Sequence, residues 1–312
     1  MSIKVGYVPG WLPLNLFPPK YSSHKILLTI KQLTEHFSTP LHFAEAHGFF
    51  TSRSLSITLI PFPSGTGHMV KSLSSGEISI AIGLTEGWIS AIANGNSNFK
   101  IAGKYVATPL CWAISTGTQQ GVDHVEKLAG GKLGVSRIGS GSYVMGFVLA
   151  QANGWLKEGK EPFEFVVLDD FKGLRDGVNS GKADGFMWEY YTSKRYYDSN
   201  EIKNVGEIYT PWPSWHIVSS NNLPPAAVGP FLEAVNEGIA YFNTHKDEAV
   251  GYISTHLDYS KEDAQEWLGT VEFASDVRKV DEKDINETLK VLREAGVVRD
   301  SKVSYQDVVL NL

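Results

Sequence analysis

Lys71-Ser72-Leu73-Ser74-Ser75-Gly76-Glu77-Ile78-Ser79-Ile80-Ala81 returns in the second half of the chain as Asp176-Gly177-Val178-Asn179-Ser180-Gly181-Lys182-Ala183-Asp184-Gly185-Phe186. Each copy reads as the end of a short helix, a glycine able to stop it in the left-handed conformation, and a buried strand that starts at once. A polar turn is expected after each strand: Thr85-Glu86-Gly87 in the first copy and Trp188-Glu189-Tyr190-Tyr191 in the second. Outward from the first copy, short apolar runs predict strands at 3–8, 55–61, 78–84, 99–106 and 110–116, with helices at 40–50, 67–75 and 86–94. Around the second copy they predict strands at 132–137, 163–168 and 183–189, with helices at 141–155 and 172–180. Strands separated by helices of this length imply βαβ crossovers and parallel sheets covered on both faces. The stretch 10–40, with four prolines, is long enough to suggest a segment that caps something. Beyond residue 220 the pattern turns helical, as in Leu232, Val235, Ile239 and Phe242, and again in Ile285, Thr288, Leu289 and Leu292. The expected architecture is therefore α/β, with two similar lobes, a ligand cleft where their strand ends converge, and C-terminal helices.

The chain has 312 residues, about two domains' worth. Hydrophobic residues at 42% and charged residues at 20% are ordinary globular proportions and argue against disorder. The formal charge of −6, with no Lys/Arg cluster, makes nucleic acid or an anionic membrane an unsuitable main partner. No apolar run is long enough to insert into a membrane. Cys111 stands alone, so neither a disulfide framework nor a thiolate metal cage is expected. Its place beside Trp112 suggests an inert core thiol. Ile3 to Val8 reads as a first strand rather than a secretion signal, which makes the cytoplasm the expected location.

Residues at strand ends and helix starts are the candidates for ligand contact. Arg137-Ile138-Gly139-Ser140-Gly141-Ser142 joins a strand to a helix. Unpaired first-turn N–H groups there attract an anion, and Ser140, Ser142 and Arg137 can add donors. Gly65-Thr66-Gly67-His68 repeats the arrangement in the first lobe. Trp11, Trp112, Trp188, Tyr190, Tyr191, Trp212 and Trp215 offer flat faces with polar tips where the cleft is expected. Thr85, Glu86 and Glu189 end the echoed strands, and facing carboxylates could hold an amine or an aminopyrimidine edge. His216 lies in a proline-stiffened crossing, Pro211-Trp212-Pro213-Ser214-Trp215-His216, and is a further candidate. His42-x-x-Glu45-x-His47 is not expected to bind zinc, because His47 points well round the helix from His42. No nucleophile elbow or phosphate loop is present, and no catalytic residue is assigned.

Leu41-His42-Phe43-Ala44-Glu45-Ala46-His47-Gly48-Phe49-Phe50 followed by Ser54-Leu55-Ser56-Ile57-Thr58, together with the two Ser-Gly turns, resembles the type II periplasmic-binding-protein fold. Within it the chain is most similar to the branch holding sulfonate/taurine-binding proteins and the fungal thiamine-pyrimidine-precursor synthases, and among the latter to cytosolic proteins. The resemblance covers nearly the whole chain. It implies two lobes joined by two crossing segments, lobe one being 1–113 plus 217–312 and lobe two 114–216, closing by hinge motion on one small molecule. The expected ligand is anionic and heterocyclic, of thiamine-precursor, pyridoxal-phosphate or sulfonate type. The alternatives are an enzyme of thiamine-pyrimidine-precursor biosynthesis and a transporter-associated solute-binding protein. The clustered cysteine motif of the synthases is missing here, so the resemblance carries binding further than it carries their chemistry.

Overall fold

A computed structural model describes residues 2–3, 5–6, 26–31, 35–60, 62, 65–300 and 302–311. Twelve strands among them are β1 (Ser2–Ile3), β2 (Val5–Gly6), β3 (Ile26–Lys31), β4 (Leu55–Ile60), β5 (Ile80–Leu84), β6 (Phe99–Val106), β7 (Cys111–Gly117), β8 (Lys132–Val135), β9 (Glu164–Val167), β10 (Gly185–Glu189), β11 (Ile202–Tyr209) and β12 (Trp215–Ser220). The helices are α1 (Thr39–Ala46), α2 (Thr66–Ser74), α3 (Thr85–Ala93), α4 (Gly141–Ala152), α5 (Phe171–Asn179), α6 (Tyr190–Asp198), α7 (Pro225–Thr244), α8 (Lys246–His256), α9 (Lys261–Leu268), α10 (Glu282–Glu294) and α11 (Tyr305–Val308).

The strands form two sheets. A seven-stranded sheet has the order β1-β3-β4-β2-β5-β12-β6, and a five-stranded sheet the order β11-β7-β10-β8-β9. The echoed helix–glycine–strand units supply β5 to the first sheet and β10 to the second. Gly76 and Gly181 both sit at φ +74°, the left-handed conformation that ends α2 and α5. The Thr85-Glu86-Gly87 and Trp188-Glu189-Tyr190-Tyr191 turns expected from the sequence are not turns. Each strand runs straight into a helix, with Leu84 and Glu189 as extended N-cap residues of α3 and α6. Polar residues at those positions begin a helix instead of rounding a loop.

The sheets are not wholly parallel. β7 runs antiparallel to β10 and β11, and β12 antiparallel to β5 and β6. β7 and β12 each enter their sheet from the other one, through residues 107–110 and 210–214, instead of following a helix within the same sheet. β3 lies inside the stretch read from sequence as one long excursion, pairing in parallel with β1, β4 and β5. β11 escapes pattern reading because its register shifts between Asn204 and Gly206 and much of it is half-buried. Residues 276–277 and the C-terminal tail screen the edge strand β6. Lys104 N–H donates to Val277 O at 2.8 Å and Leu310 N–H to Ile101 O at 2.7 Å, which blunts a sheet edge that could otherwise pair with another chain.

One apolar core runs through both halves, from Leu41, Phe50 and Ile80 to Leu133, Met145 and Met187. A smaller cluster of Leu174, Val178, Ala183, Phe186 and Ile202 lies apart from it. α7 fixes α1 against the first half at close range: a Cβ on Gly238 would lie 2.2 Å from Pro40 O and 2.8 Å from Ala44 Cβ. Gly238→Ala must therefore push the two helices apart and is expected to cost about 1–3 kcal/mol, as overpacking does. Urea unfolding checks this, and an unchanged midpoint would show that the α1–α7 contact is not tight.

Candidate functional site

Where the two sheets meet, helix beginnings converge. A cavity of about 60 Å³ is lined by Gly65 and Thr66, Leu84, Ser140 and Gly141, and Glu189, together with Glu35, Leu110, Trp112, Ser136, Arg137, Trp188 and Trp215. Gly65, Leu84, Ser140 and Glu189 are the N-cap residues of α2, α3, α4 and α6. Strand pairing explains the convergence. Antiparallel registry sets Trp215 beside Leu84, and likewise Trp112 beside Glu189. The carboxyl ends of β5 and β10 thus come level with the beginnings of β12 and β7. Thr66 ties α2 to this edge by accepting from Leu84 N–H at 3.2 Å. Only glycine fits at 87, where a Cβ would lie 2.7 Å from Thr66 Cγ2.

The halves touch across the cavity. A Cβ on Gly67 would stand 2.9 Å from the Arg137 guanidinium, so this lobe-two arginine lies against the first turn of α2. A Cβ on Gly141 would stand 3.0 Å from Glu86 Oε1, which puts a lobe-one carboxylate at the start of α4. Glu86 Oε2 accepts from Trp212 Nε1 at 2.9 Å, while Oε1 is buried without a partner among the described residues, as is Trp112 Nε1. Burial lifts the Glu86 carboxyl to about 7, with its own backbone N–H and the Trp212 hydrogen bond pulling the other way. Burial also lifts Glu189 to about 7, although its Oε2 accepts from Thr192 N at 2.6 Å and Thr192 Oγ1 at 2.8 Å. Its Oε1 lies 3.8 Å from His36 Nε2. Glu35 is pushed well up by burial and by the Glu189 charge. His36, with neither ring nitrogen hydrogen-bonded, is held neutral by burial.

Of the residues singled out in the sequence, the structure brings Gly65, Thr66, Trp112, Arg137, Ser140, Gly141, Trp188, Glu189 and Trp215 to the cavity wall. Trp11 lies outside the described residues. His68 is exposed on α2, edge-on to Phe62 at 4.6 Å, because the first turn of α2 points it away from the cavity. Gly139, at φ +79°, shapes the loop from its exposed side. Ser142 backs the same loop, accepting from Ser136 N–H at 3.2 Å and bonding Ser140 Oγ at 3.0 Å. Gly67, Glu86 and Trp212 stand behind the lining rather than in it. Thr85 donates its only hydroxyl proton to Pro213 O at 2.5 Å, so His216 Nδ1 must be the donor in the 2.8 Å Thr85–His216 bond. Burial, then the Lys104 charge, lowers His216 to about 3. His216 is a neutral clamp between β12 and α3 and does not line the cavity. Tyr190 lines a neighbouring cavity instead. Cys111 is half-exposed rather than in the core, with its thiol raised to about 12 mainly by burial, which leaves it unreactive. Among the described residues, no group of three His, Cys, Asp or Glu side chains could hold a metal.

Sequence reasoning missed Glu35, Leu84, Leu110 and Ser136. Leu84 and Ser136 directly precede Thr85 and Arg137, so the strand-end argument needed only one residue more at each. Nothing local marks Glu35, which tertiary packing delivers to the site.

A two-sheet α/β protein with a cavity at converging strand ends is of the type II periplasmic-binding-protein class. The comparisons agree. Residues 112–208 match the model of the Ca3427-like PBP family. Over 97% of its length the chain is 43% identical to the Candida albicans CA3427 gene product, covering 92% of that chain with a TM-score of 0.83; that protein is described as defining a new family with the generic periplasmic-binding-protein fold. The chain belongs to the Ca3427-like family. It also shares its fold with the alkanesulfonate-binding protein SsuA of Xanthomonas axonopodis pv. citri, bound to MOPS (14% identity, 88% and 95% of the two chains, TM-score 0.70). The aliphatic sulphonate binding protein SsuA of Escherichia coli is similar as well (15%, 88% and 90%, TM-score 0.67). No curated protein matches the chain in sequence.

Glu86 supplies a test of the electrostatics. A carboxyl raised from 4.5 to about 7 on folding binds its proton more tightly in the native state. Its contribution to stability is present below about pH 4.5 and is lost as pH rises through about 7. Glu86→Gln removes that loss while keeping an acceptor for Trp212. The variant is expected to melt close to wild type near pH 5 and above it near pH 8, by about 2–3 kcal/mol. Equal differences at the two pH values, measured by calorimetry, would mean that Glu86 is not held neutral.

Proposed function

We propose that this protein binds a small anionic molecule between its two lobes and releases it unchanged. The observation that supports this best is the convergence of four helix N-caps, Gly65, Leu84, Ser140 and Glu189, on one cavity that also holds the Arg137 guanidinium. Each helix beginning carries about half a positive charge, and although Tyr143 N–H and Thr192 N–H are held by the caps Ser140 and Glu189, the beginnings together with Arg137 suit a phosphate, sulfonate or carboxylate. Trp112, Trp188 and Trp215 add flat apolar faces suited to a heterocycle. The sulfonates bound by the structural neighbours are of this chemical class, as are pyridoxal phosphate and phosphorylated thiamine precursors. A cavity of about 60 Å³ has room for waters but not for such a molecule. The bound arrangement is therefore more open than this one, with the lobes pivoting on residues 107–110 and 210–214. Opening breaks the Gln151–Glu294 hydrogen bond between α4 and α10, 2.7 Å long.

Native mass spectrometry of the purified protein, followed by calorimetric titration with MOPS and with pyridoxal phosphate, tests this reading. Arg137→Gln should weaken anion binding about 10- to 100-fold, the range of a charge-assisted hydrogen bond. Unchanged affinity would remove Arg137 and the cavity from the reading, and consumption of pyridoxal phosphate would replace binding with catalysis. An anion beside carboxyls that titrate near 7 favours their protonated forms. Affinity is therefore expected to fall as pH rises from about 6 to about 8, with proton uptake on binding small near pH 6 and larger at and just above pH 7.

A further inference from the structure

A second cavity, of about 260 Å³, shares Leu110 and Glu189 with the first and has the opposite chemical character. It contains no lysine, arginine or histidine among its described lining residues, but three glutamates: Glu189, Glu207 and Glu266. Glu207 and Glu266 are exposed, Glu207 accepts from the Cys111 thiol at 3.7 Å, and among the described residues neither pairs with a cation. The nearby Lys194 is already bound to Asp263 at 2.9 Å and Asp198 at 3.1 Å. The other walls are aromatic. Tyr190 and Tyr191 meet edge to face, with centroids 5.1 Å apart at 83°, and form a right-angled corner. Tyr209 and Trp267 also line it, and Trp267, 2% exposed, has an Nε1–H that meets no acceptor among the described residues.

We propose that this cavity is a binding site for an organic ammonium ion, held over the Tyr190–Tyr191 corner and neutralised by Glu207 and Glu266. Ring faces attract a cation through their quadrupole, most strongly where the cation is large and weakly hydrated. An ammonium bearing methyl groups presents apolar surface to the rings and positive charge to the carboxylates. A small inorganic ion would remain hydrated and gain little from the rings. The electrostatic environment is consistent with this. Burial raises the Tyr190 hydroxyl first, with the Glu207 and Glu266 charges adding to it, and both charges again oppose ionisation at neighbouring positions. An oxygen on the same ligand would answer the Trp267 N–H. The walls come from β7, β10, α6 and β11 on one side and α9 with residues 270–271 on the other. Occupancy therefore bridges the second sheet to the C-terminal helices, and the proposal does not depend on the anion reading of the first cavity.

The test is titration of the full chain with tetramethylammonium and choline, followed by tryptophan fluorescence and calorimetry, against 3,3-dimethylbutanol as the neutral isostere of choline. Choline is expected to bind at least about tenfold more tightly than the isostere, and sodium chloride at equal ionic strength should give no saturable signal. Glu266→Gln, at an exposed position that leaves folding intact, should weaken choline binding about fivefold, and Tyr190→Leu by a similar factor or more. The melting temperature of each variant without ligand serves as the folding control. Equal affinity for choline and its isostere, or saturation by sodium alone, would overturn the assignment. So would the absence of choline binding up to about 0.1 M, well above the dissociation constant expected of an aromatic cage.

Discussion

The structure depends on strands that become helices with no loop between them. At Leu84 and Glu189 the backbone enters a helix within one residue, and first-turn amides take the acceptors beside them, Thr85 N–H donating to Ser214 O at 3.1 Å and Thr192 N–H to Glu189 Oε2 at 2.6 Å. Thr66 and Ser140 place two further helix beginnings at the same edge. Everything polar in the cavity answers to that geometry. The amides want acceptors, and the acceptors at hand include the protein's own carboxylates.

Two effects compete at those carboxylates. A helix N-terminus stabilises a negative charge by about 0.3–1 kcal/mol, up to ~2 in a partly buried setting. Burial of an ionised carboxylate costs several kcal/mol. Burial prevails at both Glu86 and Glu189, which are raised to about 7 in spite of their hydrogen bonds. Arg137, supplied from the opposite lobe against α2, adds a cation that no single lobe provides.

The two cavities divide their chemistry along the β7–β10 pairing. On one side lie helix beginnings and an arginine; on the other lie tyrosines and glutamates, and Leu110 and Glu189 border both. The tryptophans show how residue type can mislead as a guide to position. Trp112 and Trp188 line the first cavity, but Trp212 gives its N–H to Glu86 and Trp88 bonds His216 O at 3.2 Å. Indoles of equal promise in sequence serve as walls, struts and core.

Most of the fold was legible in the chain itself. Hydrophobic periodicity and two left-handed glycines suffice to locate β5, β10 and the helices before them, because those signals are local and the backbone responds to them locally. Gly141 and Ser140 were legible for the same reason, since a serine N-cap and a glycine approach are properties of one turn. What tertiary structure alone decided is which turns face one another. His68 and Gly139 sit in the right loops but on their outer sides, and the sense of the first helical turn or a φ of +79° settles that. Glu35 reaches the cavity from a segment with no site pattern, and β7 runs antiparallel to strands it meets only after the chain has passed from one sheet to the other. Those outcomes arise from contacts between residues far apart in sequence, where periodicity carries no information and only packing selects.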